Sequence, residues 1–342
     1  MIELTSCPVC NSEDLSTLLS TISRYDDSYS SHNVAILNHI LKNVLLKDEV
    51  RVYTKQCRRC KQIFVSPTFA PEEMARLYSE EGSKKMHQFY KLSEEKSGLS
   101  YFEDFSGDEI LGKKYMEESI SFRGRFIYDV VTSFGKKPIN KLLDIGGGEG
   151  GNVLSFDKSE KYVYDLVKPS GSHGQIKHIN NLTAARSIAP FDLLVSTHTL
   201  EHIIYLRDTV ESYACLLRRG SLFYVEVPAE YVRIFAKYLL YPVLKKGTHI
   251  NWHINYLSPG SLQTLFASCG YTTLYLRTRL MAYDNLRIPV IVGLFKYTGI
   301  PVTYFSSWLR WYRDLFSDMM VDIKITGFRK LFRRYPSLNS FK

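Results

Sequence analysis

The sequence predicts an α/β protein: a mostly parallel seven-stranded sheet with helices on both faces, a small N-terminal zinc-ribbon-like module, and a C-terminal amphipathic helical tail. Three observations carry that prediction. From Lys141 onward short apolar runs alternate with helical patterns, as in parallel sheets joined by crossover helices. The run "LLDIGGGEGG" (142–151) breaks from apolar residues into glycines, as a buried strand does when it feeds a tight turn. Ahead of both lie two C-x-x-C pairs, Cys7/Cys10 and Cys57/Cys60. The boundaries read as 1–80 for the cysteine module, 81–138 for a helical linker or cap, 139–300 for the sheet domain, and 301–342 for the tail.

In chain order, Pro71 with Glu72 and Glu73 starts a short helix, since proline and acids suit a first turn. "KKYMEESISFRGRFIYDVVTSFG" has helical spacing and closes at Gly135. "KLLDIG", "KYVYDLV", "QIKHI" and "FDLLVST" are the first four strands of the sheet. One helix is expected through "LEHIIYLRDTVESYACLLRRG", to Gly220, and "SLFYVEVP" is the fifth strand. "AEYVRIFAKYLLYPVLKK" is a helical insertion, lid or core, whose Lys245 and Lys246 could meet a substrate phosphate. "SPGSLQTLFASCG" is a helix capped by Ser258 and closed by Gly270, and "YTTLYLRTRL" and "IPVIVGLFKY" are the last strands. Cys215 and Cys269 fall on apolar helix positions and read as core.

Hydrophobic residues at 45% and charged residues at 23% describe an ordinary globular chain, which excludes disordered and fibrous classes. The net charge of +9 permits nucleic acid, anionic lipid or an anionic small molecule as partner. Nucleic acid is disfavoured, because the charge does not cluster near the cysteine pairs and no aromatic stacking motif is present. The N-terminus lacks a signal peptide's basic start and apolar core, and the later apolar stretches fall short of the ~18–20 residues of a membrane span. A cytoplasmic location is expected, and in a reducing compartment paired cysteines suggest metal rather than disulfides.

The glycine loop admits two cofactors. Gly146, Gly148 and Gly151 fit the dinucleotide pattern G-x-G-x-x-G; Gly146, Gly148 and Gly150 behind Asp144 fit the S-adenosylmethionine pattern D-x-G-x-G-x-G. Asp144 and Glu149 would repel a pyrophosphate but suit a sulfonium and an ammonium group. Asp165, at the end of the second strand, can take both ribose hydroxyls of either cofactor. A third reading, in which the glycines make only a tight turn, stays open. Cys7, Cys10, Cys57 and Cys60 supply four thiolates, a tetrahedral set suited to structural Zn2+. The 46 residues between the pairs are long for a zinc ribbon, and Asn11 and Lys61 stand where a knuckle favours glycine.

"LLDIGGGEG", "YVYD", "FDLLVSTHTLEHI" and "LLRRGSLFYVEVP" together resemble the successive motifs of class I S-adenosylmethionine-dependent methyltransferases, over roughly residues 140–300. The resemblance implies a Rossmann-like sheet. It puts Asp144, Gly146, Gly148 and Gly150 around the methionine part of the cofactor, Asp165 on the ribose, and Asn181 near the adenine. The third strand departs from the family, with "HINN" where an acid is usual, and the Pro-Gly-Gly turn reads Arg219-Gly220-Ser221. An N-terminal zinc module ahead of the domain is also similar to the layout of sugar C-methyltransferases and polysaccharide-cluster enzymes.

Three histidines are candidates for acid–base work: His198 and His202 after the fourth strand, and His253 in "GTHINWHINYLS". His253 aligns with the histidine base of the sugar C-methyltransferases, whose tyrosine and glutamate fall here on Ile250 and Trp252. His249 reads as solvated or supporting. In the tail, Trp308, Trp311, Tyr312, Leu315 and Phe316 begin an amphipathic helix, followed by Arg329, Lys330, Arg333 and Arg334. That helix packs on its own domain or on a second copy in a homodimer, or else docks at an anionic membrane surface. The sequence therefore predicts a methyltransferase acting on a small acceptor, a sugar or a nucleotide- or lipid-linked glycan intermediate. The alternatives are an RNA- or protein-binding zinc protein, an RNA methyltransferase, and a nicotinamide oxidoreductase, the last opposed by the acidic loop.

Overall fold

The computed structural model describes residues 1–26, 32–97, 109–165, 174–244, 252–283 and 286–302. The tail at 303–342, His249, Ile250, Lys245 and Lys246 lie outside them. In the N-terminal part β1 (Leu15–Arg24), β2 (Glu49–Cys57) and β3 (Ile63–Ser66) form an antiparallel sheet. α1 (His32–His39), continued by a π-helical turn over Ile40–Leu45, occupies the connection from β1 to β2. The long stretch between the cysteine pairs is thus a strand, a helix and a second strand, which is why its length exceeds that of a ribbon loop. α2 (Pro71–Leu77) starts at Pro71 as expected, and the Glu73 carboxylate accepts from the Ala70 N–H at 2.7 Å and from the chain's terminal amine at 2.9 Å.

α3 (Glu80–Ser97) and α4 (Glu109–Gly135) lead into the larger sheet. Its strands are β4 (Lys141–Ile145), β5 (Glu160–Tyr164), β6 (Ile176–Ile179), β7 (Phe191–Thr197), β8 (Leu217–Pro228), β10 (Tyr271–Tyr283) and β11 (Leu286–Tyr297). Their order is β10-β11-β8-β7-β4-β5-β6, and β11 alone runs against the other six. The remaining helices are α5 (Leu182–Ile188), α6 (Leu206–Ser212), α7 (Tyr231–Leu244) and α8 (Pro259–Ser268). Strand order reverses between β4 and β7, and such a switch point opens a crevice at the carboxyl ends of the strands.

Side-chain alternation assigns the two faces. Leu143, Leu194, Phe223, Val225 and Ile291 share one core with Leu262, Leu265 and Phe266 of α8. Leu142, Leu193, Val195, Tyr224 and Val292 share the other with Ile127, Val130 and Val131 of α4. Asp144 and Glu226 have the parity of the α4 face, a placement that governs their chemistry below. Ser258 Oγ caps α8 by accepting from the Ser261 N–H at 3.1 Å, behind Pro259, as the sequence indicates.

Three expectations need correction. The single helix expected over 200–220 is a short 3-10 turn (Leu200–His202), then α6, then a second 3-10 turn (Tyr213–Leu216). β8 begins earlier than expected because Leu217 already pairs with Phe191, and Ser221 Oγ bridges the interruption by donating to the Phe191 carbonyl at 2.7 Å. Cys215 is exposed rather than core, on the outer side of that second turn, while Cys269 is buried.

The two sheets are not separate bodies. A fourth strand of the small sheet, β9 (Asn255–Tyr256), comes from the segment just after His253 and pairs with β3. The Val65 N–H donates to the Ile254 carbonyl and the Arg207 N–H to the Pro8 carbonyl. Val9 and Phe64 are buried in the same core as Ile254, Tyr256 and Leu262.

Candidate functional site

The glycine loop leaves β4 at the switch point. Gly146, Gly148 and Gly150 all adopt positive φ (69°, 53° and 83°), which L side chains rarely tolerate. A Cβ on Gly146 would lie 2.4 Å from Thr199 Oγ1, so that turn needs glycine for space as well. Over Gly148 the space is open. Asp165, arriving from β5, accepts from the Gly148 N–H at 3.0 Å, so the acid expected to take the ribose faces the loop. Open backbone above an acid is a cradle that fits a nucleoside cofactor.

The other loop acids divide. Glu149 is exposed. Asp144 lies fully buried beneath the loop, on the α4 face. Among the described residues neither of its carboxylate oxygens has a hydrogen-bond partner. Burial pushes its pKa up to about 7, Asp165 adds to that, and Asn152 and Arg123 oppose it. Asn181 is exposed and serves as the N-cap of α5, its Oδ1 accepting from the Ala184 N–H at 2.8 Å.

The histidines converge at the same edge. Thr199 joins them to the loop, donating to the Ile145 carbonyl at 3.1 Å one turn before Glu201 and His202. His198 has φ 52°, a left-handed conformation uncommon outside glycine, and strain of this kind clusters at functional sites. It sits between carboxylates, Nε2 at 3.1 Å from Glu226 Oε1 and Nδ1 at 3.4 Å from Glu201 Oε1. Burial opposes its charge, but the two acids win and hold it at about 9, so it is an imidazolium at neutral pH. A cation already carrying its proton is a poor base, which argues against His198 in that role. Arg123 of α4 adds a second cation 3.4 Å from Glu226.

His202 and His253 are brought together, ring centroids 4.9 Å apart and 66° between planes. His202 Nδ1–H donates to the Trp252 carbonyl at 2.9 Å. Burial lowers its pKa although Glu201 pulls the other way, so this ring is neutral. His253 Nδ1 lies 2.5 Å from Glu230 Oε2, and that carboxylate raises its pKa against the effect of burial. The Ile254 N–H donates to the Glu201 carbonyl at 2.9 Å, locking the two segments in register. Tyr78 packs edge-on to His202 at 5.9 Å. Glu226 and Glu230 escape a reading of sequence alone, although an acid inside the apolar "LFYVEVP" was a usable signal.

The four cysteines also converge. Cys7 Sγ lies 3.5 Å from Cys60 Sγ, and Cys10 Sγ 3.6 Å from Cys57 Sγ. A disulfide would need about 2.05 Å, whereas a tetrahedral Zn2+ at about 2.3 Å from each sulfur sets sulfurs roughly 3.8 Å apart. The Val9 and Cys60 N–H groups point at Cys7 and Cys57 Sγ (3.4 and 3.5 Å). Asn11 and Lys61 take the positive φ (57° and 65°) that closes each knuckle. The donor set fits zinc.

Residues 115–276 match the family model described as "Methyltransferase domain". No curated protein matches the chain. Among solved structures, a Burkholderia thailandensis 1,6-didemethyltoxoflavin-N1-methyltransferase, with bound 1,6-didemethyltoxoflavin and S-adenosylhomocysteine, is similar at 14% identity. The match covers 70% of this chain and 96% of that one, with a TM-score of 0.44. A Methanosarcina mazei S-adenosylmethionine-dependent methyltransferase is similar at 16% identity over 50% and 98%, TM-score 0.38. One from Clostridium acetobutylicum is similar at 13% identity over 54% and 92%, TM-score 0.36. The matched region holds the glycine loop and the switch point of the Rossmann-like sheet; the one reversed strand, β11, follows just beyond it. Residues 115–276, a little under half of the chain, thus match a methyltransferase domain, set on a Rossmann-like sheet.

Proposed function

We propose that the acceptor is a small hydroxylated molecule, a sugar or a nucleotide- or lipid-linked glycan intermediate, deprotonated at the His202–His253 cluster. The observation that carries this reading is adjacency: Thr199 ties the cofactor loop to the turn bearing Glu201 and His202, beside His253. The zinc-module layout shared with sugar-modifying methyltransferases supports the acceptor class. S-adenosylmethionine, when bound, supplies an electrophilic methyl group on a sulfonium whose departure leaves a neutral thioether. Gly146, Gly148 and Gly150 let the backbone approach it, and Asp165 would hold its ribose.

His253 is the candidate general base. Glu230 holds its Nδ1, so the acceptor's proton would pass to Nε2 while the carboxylate stabilises the imidazolium that forms. His202 orients the Trp252 segment. Zn2+ on Cys7, Cys10, Cys57 and Cys60 is structural in this reading, fixing β3 against β9 and so the segment that carries His253.

Purified protein given methyl-labelled S-adenosylmethionine and a panel of nucleotide-linked sugars should label one of them. His253→Ala should lower kcat by roughly 10²–10⁴-fold while S-adenosylhomocysteine still binds. Undiminished turnover in that variant would remove the base assignment. Labelling of RNA and of no sugar would overturn the acceptor class.

A further inference from the structure

We infer that Glu201, His202 and His253 form a binding site for a divalent first-row metal ion, distinct from the four-cysteine site. One ligand atom from each of the three lies within 4.8 Å of the other two. Two imidazoles and one carboxylate, with coordination positions left over, are a donor set for such ions.

Three further observations point to a cation rather than to a self-sufficient hydrogen-bonded cluster. Glu201 is 1% exposed, and among the described residues neither of its carboxylate oxygens makes a hydrogen bond. The His198 imidazolium at 3.4 Å and His202 Nε2 at 3.8 Å both approach Oε1. Oε2 stays buried without a hydrogen bond, and a second cation would satisfy it. The histidines are also arranged as ligands are. Each has its Nδ1 held by an acceptor, the Trp252 carbonyl for His202 and the Glu230 carboxylate for His253. That fixes the tautomer in which Nε2 would coordinate, the outer-shell support typical of metal-bound histidine. His198 is excluded as a ligand because both its nitrogens already face carboxylates, Glu201 and Glu226. Finally, the Ile254 N–H to Glu201 carbonyl bond holds the two ligand-bearing segments together across a sequence gap of about fifty residues.

The site deepens the methyltransferase reading and rests on it for its role. An acceptor hydroxyl bound to the ion would be a stronger acid, releasing its proton to solvent before its oxygen takes the methyl group. His202 and His253 would then serve as ligands, and the ion would take over the work given above to His253 as base. Soft thiolates and a mixed nitrogen–oxygen set prefer different ions, so Mn2+ separates the two sites.

The test is titration of the full-length protein with Mn2+, following free Mn2+ by electron paramagnetic resonance, with S-adenosylhomocysteine binding measured on the same samples. One Mn2+ should bind per chain, and spin-echo modulation should show nitrogen from two imidazoles. Glu201→Gln and His202→Gln should each abolish that binding while S-adenosylhomocysteine still binds. Wild-type protein that binds S-adenosylhomocysteine but no Mn2+, or shows no imidazole nitrogen on the bound ion, overturns the metal site and leaves the methyltransferase reading intact. Mn2+ bound through two imidazoles without S-adenosylhomocysteine binding keeps the site and sinks its proposed role. The wild-type spectrum decides even if both variants misfold.

Discussion

Asp144 keeps a proton in the folded protein up to a pH of about 7, whereas its ordinary value is 3.8. Between those values the folded chain binds more protons than the unfolded one, so this residue makes stability fall as pH rises and adds no further loss above about 7. The window caps its effect at roughly 4 kcal/mol. In urea unfolding across pH 4 to 8, Asp144→Asn should therefore lose less stability on raising pH than wild type does, with the two curves parallel above 7. Parallel curves throughout would show that Asp144 is ionised in the folded state. The glycine turn was legible from residue types alone, because positive φ and close approach are local demands. The burial of Asp144 was not, since it depends on strand parity and on α4 covering that face. The same holds for Glu226 and Glu230, which meet His198 and His253 only after β8 has paired.

Between the cysteine site and His253 the connection runs through single strands. Cys57 ends β2, β2 pairs β3, and β3 pairs β9 at Asn255 and Tyr256, two and three residues past His253. If Zn2+ fills the four-cysteine site, as proposed, its loss frees four crowded sulfurs and loosens that chain of pairings. Cys57→Ser should abolish bound zinc by elemental analysis and lower Tm on the order of 10 °C, since a structural zinc is worth several kcal/mol. Wild-type protein that is zinc-free as purified, or a variant with unchanged Tm, would refute the assignment. At this scale β1, β2, β3 and β9 of the small sheet were not foreseen, whereas the seven strands of the larger sheet could be read from apolar runs. The helix expected over 200–220 could not, because its pattern was apolar enough for one helix. What breaks it is long-range: Leu217 is claimed by Phe191 of β7.

Across the whole molecule, the division at residue 80 that composition suggests does not separate two cores. Val9, Phe64 and Phe69 are buried in the same cluster as Leu206, Ile254, Tyr256, Leu257 and Leu262. Sequence signals of domain boundaries report local composition, and they are blind to a strand such as β9 donated from nearly two hundred residues away. Burying a large apolar side chain is worth about 1.5–3 kcal/mol. A catalytic fragment lacking residues 1–80 would expose a set of them and lose the partner of β9. The intact chain should thus unfold in one calorimetric transition, its calorimetric and van't Hoff enthalpies agreeing. Chelation of zinc should move that single transition to lower temperature instead of resolving an early one ahead of it. Two separated transitions, with only the first sensitive to chelator, would show that the N-terminal module folds alone and that the shared core contributes little to holding His253 in place.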